Sequence, residues 1–148
     1  MGDVLIRTAE KGDAARLARL MDLLGYSTTV NEMEQRLDRI LDNPRYRTLV
    51  AVDDGALVGM IGMEMGFSYE MCGVYLRILA LVVDERARGR GTGRTLMAAA
   101  EQWAVSQGAR RVRVSSGNRP ERADAHAFYR RAGYEAKGTS FHKELRPS

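Results

Sequence analysis

Cysteine, histidine, tryptophan and proline are all scarce in these 148 residues: Cys72 alone, two histidines, one tryptophan and three prolines. A single cysteine has no partner for an internal disulfide, and with His126 and His142 isolated it gives no zinc-ligand spacing. No metal is expected. No apolar run approaches the ~20 residues that cross a bilayer. The opening MGDVLIRTAEKGD carries acidic residues in place of a signal peptide's apolar core. Repeats, low-complexity tracts and linker-like stretches are missing too. The chain is expected to be cytoplasmic, with no membrane partner, and to form a single domain over 1–148 with a real core.

What is present is an ordinary globular mixture, 45% hydrophobic and 28% charged, with a net charge of +4. The basic excess gathers at Arg86, Arg88, Arg90 and Arg94, and again at Arg110, Arg111 and Arg113. Basic patches serve nucleic acids when a recognition helix or interleaved aromatics accompany them. Neither does so here. A polyphosphate ligand explains the clustering more economically, and no nucleic-acid partner is expected.

The first arginine cluster alternates with Gly89, Gly91 and Gly93, between an apolar run and a helical pattern. Glycines permit a tight turn whose N–H groups come close to a ligand. A helix start adds orphan donors and about half a positive charge, which suits phosphate. The G-x-G-x-G spacing is neither a dinucleotide fingerprint nor a Walker loop, since no Gly-Lys-Ser/Thr comes after it. A solvated Arg/Gly turn is the plain alternative. The string R-x-x-G-x-G, read at Arg88, Gly91 and Gly93, resembles the pyrophosphate-binding motif of the GNAT acetyltransferase superfamily, whose co-substrate is acetyl-CoA.

The remaining segments keep the same order as that family. A strand is predicted at 4–7, then a helix with Asp13 as N-cap, Leu17, Leu20, Met21 and Leu24 on one face, and Gly25 as its stop. Thr29 and Glu32 form a T-x-x-E capping box for a second helix bearing Met33, Leu37, Ile40 and Leu41, ended by Asn43-Pro44. Strands at 47–52 and 56–65 flank the hairpin turn Asp53-Asp54-Gly55. Gly59 and Gly62 mark a bulge or a close backbone approach in the second of them. The run 74–83, VYLRILALVV, reads as a central strand covered on both faces. A helix then carries Leu96, Ala100, Trp103 and Gln107 up to Gly108, before a strand at 111–115, a helix at 122–132 and strands at 134–135 and 139–145. The fold class is α/β, a central mixed sheet flanked by about four helices. This order is that of the GNAT fold, so the resemblance covers nearly the whole chain.

Near the C-terminus, DAHAFYRRAGY at 124–134 resembles the superfamily's late-helix motif through Ala125, Tyr129, Gly133 and Tyr134. The resemblance implies that Tyr129 lies beside the CoA sulfur and protonates the departing thiolate. Phe128, about 100° away around a helix, is read as packing, its ring counted with the cofactor-binding set. Many relatives carry an asparagine seven residues before the tyrosine, against the pantetheine arm; here that position is Arg122. Asn118 either takes over that contact or is a turn residue. The resemblance also implies that Leu81, Val82 and Val83 pair with pantetheine. The amides of Arg88, Gly89, Arg90, Gly91, Thr92, Gly93 and Arg94 would hold the pyrophosphate, with Thr95 in the same turn. A backbone N–H of the same strand would face the acetyl carbonyl.

The implied reaction is direct transfer to an amine, so Cys72, with no histidine or acid at a readable spacing, is taken as a plain strand-edge thiol. An alkyl amine with pKa ~10.4 costs roughly 4.6 kcal/mol to deprotonate at pH 7. Desolvation or a base must offset that. Glu64, Glu70 and His142 are the candidates, and either glutamate is equally readable as a solvated surface carboxylate. The expected acceptor is a small-molecule primary amine, in a pocket built from 24–30, 66–73 and 139–143. Met65, Phe67, Tyr69 and Met71 favour an acceptor with a hydrophobic portion, or belong to the core. A protein or peptide amine as acceptor, and a non-catalytic CoA-binding module on the same fold, are the alternatives. A homodimer is common in the family, and nothing in the chain decides it.

Overall fold

Alternating, β-prone segments pair into one mixed sheet. β1 (Leu5–Thr8), β2 (Tyr46–Asp53), β3 (Ala56–Phe67), β4 (Val74–Val83) and β5 (Val112–Val114) lie in that order. Neighbours are antiparallel as far as β4, and β4 and β5 are parallel. The computed structural model describes residues 4–115, 123–138 and 140–146, in a larger unit ending at Val114 and a smaller one beginning at Ser115. Helices α1 (Ala14–Leu24), α2 (Val30–Ile40) and α3 (Thr92–Ser106) belong to the first unit, and α4 (Ala123–Arg131) to the second. Among the described residues no helix is long and apolar enough to cross a membrane.

Local chemistry accounts for most boundaries. Asp53 pairs with Ala56, leaving Asp54-Gly55 as a two-residue turn with φ of 50° and 82°. That twist matches the strands it joins. The predicted capping box of α2 is formed: Thr29 N–H donates to Glu32 Oε1 at 2.8 Å, and Glu32 N–H to Thr29 Oγ1 at 3.1 Å. Asp13 does occupy the N-cap position of α1, but its side chain caps nothing there. It accepts instead from Arg7 at 2.9 Å, Arg16 at 3.0 Å and the Glu10 amide at 2.8 Å. Two guanidiniums outcompete an amide for a buried carboxylate.

The sheet is covered on both faces at its β3–β4 centre. Val50, Met60 and Val82 share one face and pack with Leu17 and Leu20 of α1 and Met33 and Leu37 of α2. Gly59 lies on the other face, where a Cβ would stand 3.1 Å from Leu96 Cδ1, 3.2 Å from the Val82 carbonyl and 3.4 Å from Thr92 Cγ2. The expected close approach is therefore the first turn of α3 lying directly on the β3 backbone. Toward its start β4 is less covered than its apolar run suggests, with Arg77 and Leu79 exposed. The buried stripe of α3 is Leu96, Met97, Ala100 and Ala104, while Gln107 is exposed.

Two further expectations are corrected. The strands predicted at 134–135 and 139–145 do not form among described residues 134–138 and 140–146. Gly138, at φ 73°, lies between the two predicted segments, and residue 139 lies outside the described residues. Cys72 sits exposed in the loop after β3, not on a strand edge.

Asp84 ties the end of β4 to α1 and to the turn after the strand. Its buried carboxylate accepts from Arg19 Nη1 at 2.7 Å, the Arg86 amide at 3.1 Å and Arg86 Nη2 at 3.3 Å. These donors, the Arg19 guanidinium first, hold its pKa well below the usual carboxylate range. A depressed folded pKa adds stability that is complete above the unfolded value of about 3.9 and fades as pH falls toward the folded value. Asp84→Asn is expected to lose about 2 kcal/mol at neutral pH and to unfold less steeply in acid than the native chain. Urea unfolding across that pH range checks both; an unchanged acid slope contradicts the assignment. Asp13, lowered by Arg7 in the same direction, leaves part of the slope in place.

Candidate functional site

The end of β4 is built differently from its start. The β3–β4 register runs Gly62 to Ala80 but Met63 to Ile78, so Leu79 has no partner. This is a bulge in β4, opposite the glycine that was expected to mark one. A second slip, between Ala51 and Val52, leaves Val58 unpaired in β3. The ladder to β5 ends at Ile78 and Val114, and β4 continues to Val83. Residues 79–83, with Leu81, Val82 and Val83 among them, therefore lie beyond the described β5 ladder, and among the described residues no β5 pairing takes up their backbone groups on that side.

The glycine turn comes at once. Gly89 and Gly91 adopt φ of 80° and 79°, and nothing lies within 4 Å of where either Cβ would be. Only residues free of the left-handed penalty hold this path. The first α3 bond runs from Thr95 N–H to the Gly91 carbonyl at 2.9 Å, and Thr95 Oγ1 donates to the same oxygen at 2.9 Å. The amides of Gly91, Thr92, Gly93 and Arg94 precede that bond, so they have no intrahelical acceptor, and no side chain among the described residues caps the helix. Thr92 Oγ1 is buried without a partner among the described residues. Clustered orphan donors at a positive helix end fit a diphosphate.

The arginines divide by role. Arg88 Nε donates to the Val83 carbonyl at 3.3 Å and braces the turn. Arg90 lies 3.5 Å from Asp53 on the hairpin, and Arg86 is spent on Asp84. Arg94 forms no ion pair among the described residues and is exposed beside the orphan amides.

Of the three candidate bases, the structure half-buries Glu64 and leaves Glu70 and His142 exposed. Glu64 is paired with Tyr46 on β2 and Arg77 on β4. The Tyr46 hydroxyl donates to its carboxylate, and that bond raises the Tyr46 pKa; Arg77 Nη1 stands 3.8 Å from Oε1. Glu70 is exposed in the loop after β3, its amide donating to Ser68 Oγ at 3.1 Å. Among the described residues no group of three histidine, cysteine or acidic side chains could hold a metal ion.

In the second unit the late helix explains its own motif. Gly133 adopts φ 94°. Its amide bonds the Arg130 carbonyl at 3.0 Å, and the Tyr134 amide bonds the Tyr129 carbonyl at 2.9 Å. This is a Schellman ending, which brings the residue after the glycine onto the helix residue five positions before it. The Tyr129 and Tyr134 rings accordingly meet edge-on at 6.2 Å, and Phe128 meets Tyr129 at 5.5 Å. Tyr129 is thus clasped between two aromatic rings. Asn118 lies outside the described residues.

The sequence pattern of the Acetyltransferase (GNAT) family matches residues 17–134. The chain belongs to the GNAT acetyltransferase family. An aminoalkylphosphonate N-acetyltransferase of Salmonella typhimurium is 37% identical over 103 residues, 70% of this chain and 64% of that protein. The chain thus spans just under two thirds of that relative. A GNAT family acetyltransferase of Staphylococcus aureus has a TM-score of 0.81 at 28% identity, covering 97% of this chain and 100% of its own. AAC(6')-Iy, solved with the bisubstrate analog CoA-S-monomethyl-acetylneamine, shares the fold with a TM-score of 0.83 at 17% identity, over 99% of this chain and 100% of its own. In this GNAT protein the family's glycine motif falls on the left-handed turn before α3. Sequence reasoning did not find Asp84, the Leu79 bulge or the row through Glu64; a polar residue within each apolar strand was the available signal for the last.

Proposed function

We propose that this GNAT protein is an N-acetyltransferase that moves the acetyl group of acetyl-CoA directly to the primary amine of a small molecule, in the cytoplasm and as one acetyltransferase domain. The observation that carries the reading is the juxtaposition, at the end of β4, of residues beyond the described β5 ladder and the orphan amides that start α3. Acetyl-CoA supplies a thioester carbonyl open to attack by an amine. The amides of Gly91, Thr92, Gly93 and Arg94, with those of Arg88, Gly89 and Arg90 and the Arg94 guanidinium, take the pyrophosphate. Leu81, Val82 and Val83 offer backbone pairing to pantetheine. The Leu79 bulge leaves one β4 residue without a β3 partner, and a backbone N–H of this strand would be the donor to the thioester oxygen. Glu64 receives the amine proton and Glu70 is the second candidate, while Tyr129 returns a proton to the sulfur. Holding both reactants in one geometry contributes to rate independently of these transfers.

The test is release of the CoA thiol from acetyl-CoA over a panel of small amines, with the product weighed by mass spectrometry. Amine-dependent release, with the amine one acetyl group heavier, is expected. Acetyl-CoA binding with no release on any amine favours a non-catalytic CoA-binding module.

A further inference from the structure

We propose that Arg77 and Arg113 form an anion-binding pair, and that the amine acetylated here carries an oxyanion (carboxylate, phosphate or phosphonate) a few bonds from its nitrogen. The inference rests on the acetyl-transfer reading and adds the acceptor's chemical class. One register row crosses four strands: Tyr46, Glu64, Arg77 and Arg113. Registered partners share a face of the sheet, and adjacent strands lie about 4.8 Å apart. Two guanidiniums are therefore direct neighbours, an arrangement that is unfavourable unless a negative charge lies between them.

Among the described residues one carboxylate serves this pair. Glu64 stands 3.8 Å from Arg77, beyond hydrogen-bond length, and already accepts from Tyr46. Arg113 has no ion pair there. Its guanidinium lies 5.3 Å from the centre of the Tyr75 ring. That ring is itself laid over Gly66, where a Cβ would meet it at 3.1 Å. The glycine lets the ring cross β3, and the ring holds Arg113 in place. Planar guanidinium forks bind carboxylate and phosphate-like groups bidentately.

The position of the pair suits an acceptor. The Arg77–Arg113 rung is the last but one before the β4–β5 ladder ends, and two residues before Leu79. At 3.3 Å per residue that is roughly 7 Å of strand, room for an amine separated from its oxyanion by two or three carbons. An oxyanion end at the Arg77–Arg113 rung and an amine end toward Leu79 would set such a molecule along β4, with Glu64 one strand away.

The experiment uses the whole protein and three acceptors of similar length: 2-aminoethylphosphonate, β-alanine and propylamine. The anionic pair is expected to exceed propylamine at least tenfold in kcat/KM. Arg113→Gln should cut that preference about tenfold, chiefly through KM, and Arg113→Lys should restore part of it. Equal kcat/KM for all three in the native protein, or an unchanged preference in Arg113→Gln, overturns the proposal and leaves acetyl transfer standing. Methylphosphonate binding, monitored by NMR, reads the pair without turnover. Binding lost in Arg113→Gln supports the pair even if no amine is acetylated, an outcome that refutes the transfer reading. No binding to the native protein counts against the pair.

Discussion

Gly91→Asp is expected to weaken acetyl-CoA binding by two orders of magnitude, about 2.7 kcal/mol, whereas Gly91→Asn loses less than tenfold. Gly91 holds φ 79° with open space where a Cβ would be. Neither substitution clashes, and both residues tolerate the left-handed region better than other side chains. The backbone cost is thus shared. What differs is one negative charge at the head of four orphan amides, where two unit charges about 5 Å apart interact by roughly 3 kcal/mol at an effective dielectric of ~20. Calorimetric titration of both variants separates the two effects. If asparagine and aspartate weaken binding equally, the turn matters for its shape and the pyrophosphate assignment falls.

Tyr129→Phe is expected to lower kcat by about 10²–10³ while acetyl-CoA affinity changes less than threefold. A tyrosine of pKa ~10 protonating a thiolate of ~8.5 works uphill by about 1.5 units, so the transfer must accompany breaking of the C–S bond. The clasp around Tyr129, with Phe128 on one side and Tyr134 on the other, holds the ring through aromatic contacts. Phenylalanine keeps that packing. Steady-state kinetics with saturating amine, beside a binding isotherm, checks the split. Equal loss of affinity and turnover contradicts the acid role.

How much of the fold and site was legible depends on the range of each interaction. The Thr29–Glu32 box, the Asp54-Gly55 turn and the bounds of β4 depend on neighbours within a few residues, and the sequence displays them. The glycine turn was legible for the same reason, since its donors, its left-handed glycines and the helix start lie in one short stretch. The Leu79 bulge was not. In VYLRILALVV apolar residues occupy both faces, so a one-residue slip leaves no change of polarity to read. Nor was the partnership of Asp84 with Arg19, 65 positions apart, or the row from Tyr46 to Arg113, which exists only once four strands are in register. Asp13 misled in a simpler way: it stands where a cap belongs, but Arg7 and Arg16 claim its carboxylate.

The most direct test of the central claim is a calorimetric titration of the unaltered protein with acetyl-CoA, alongside dephospho-CoA and free adenosine. Saturable binding of acetyl-CoA, with adenosine too weak to detect, is the predicted result, because in the proposed reading the orphan amides before α3 take the diphosphate and not the base. No binding of acetyl-CoA, or binding matched by adenosine, would contradict the account and leave the arginine–glycine turn in search of another anion.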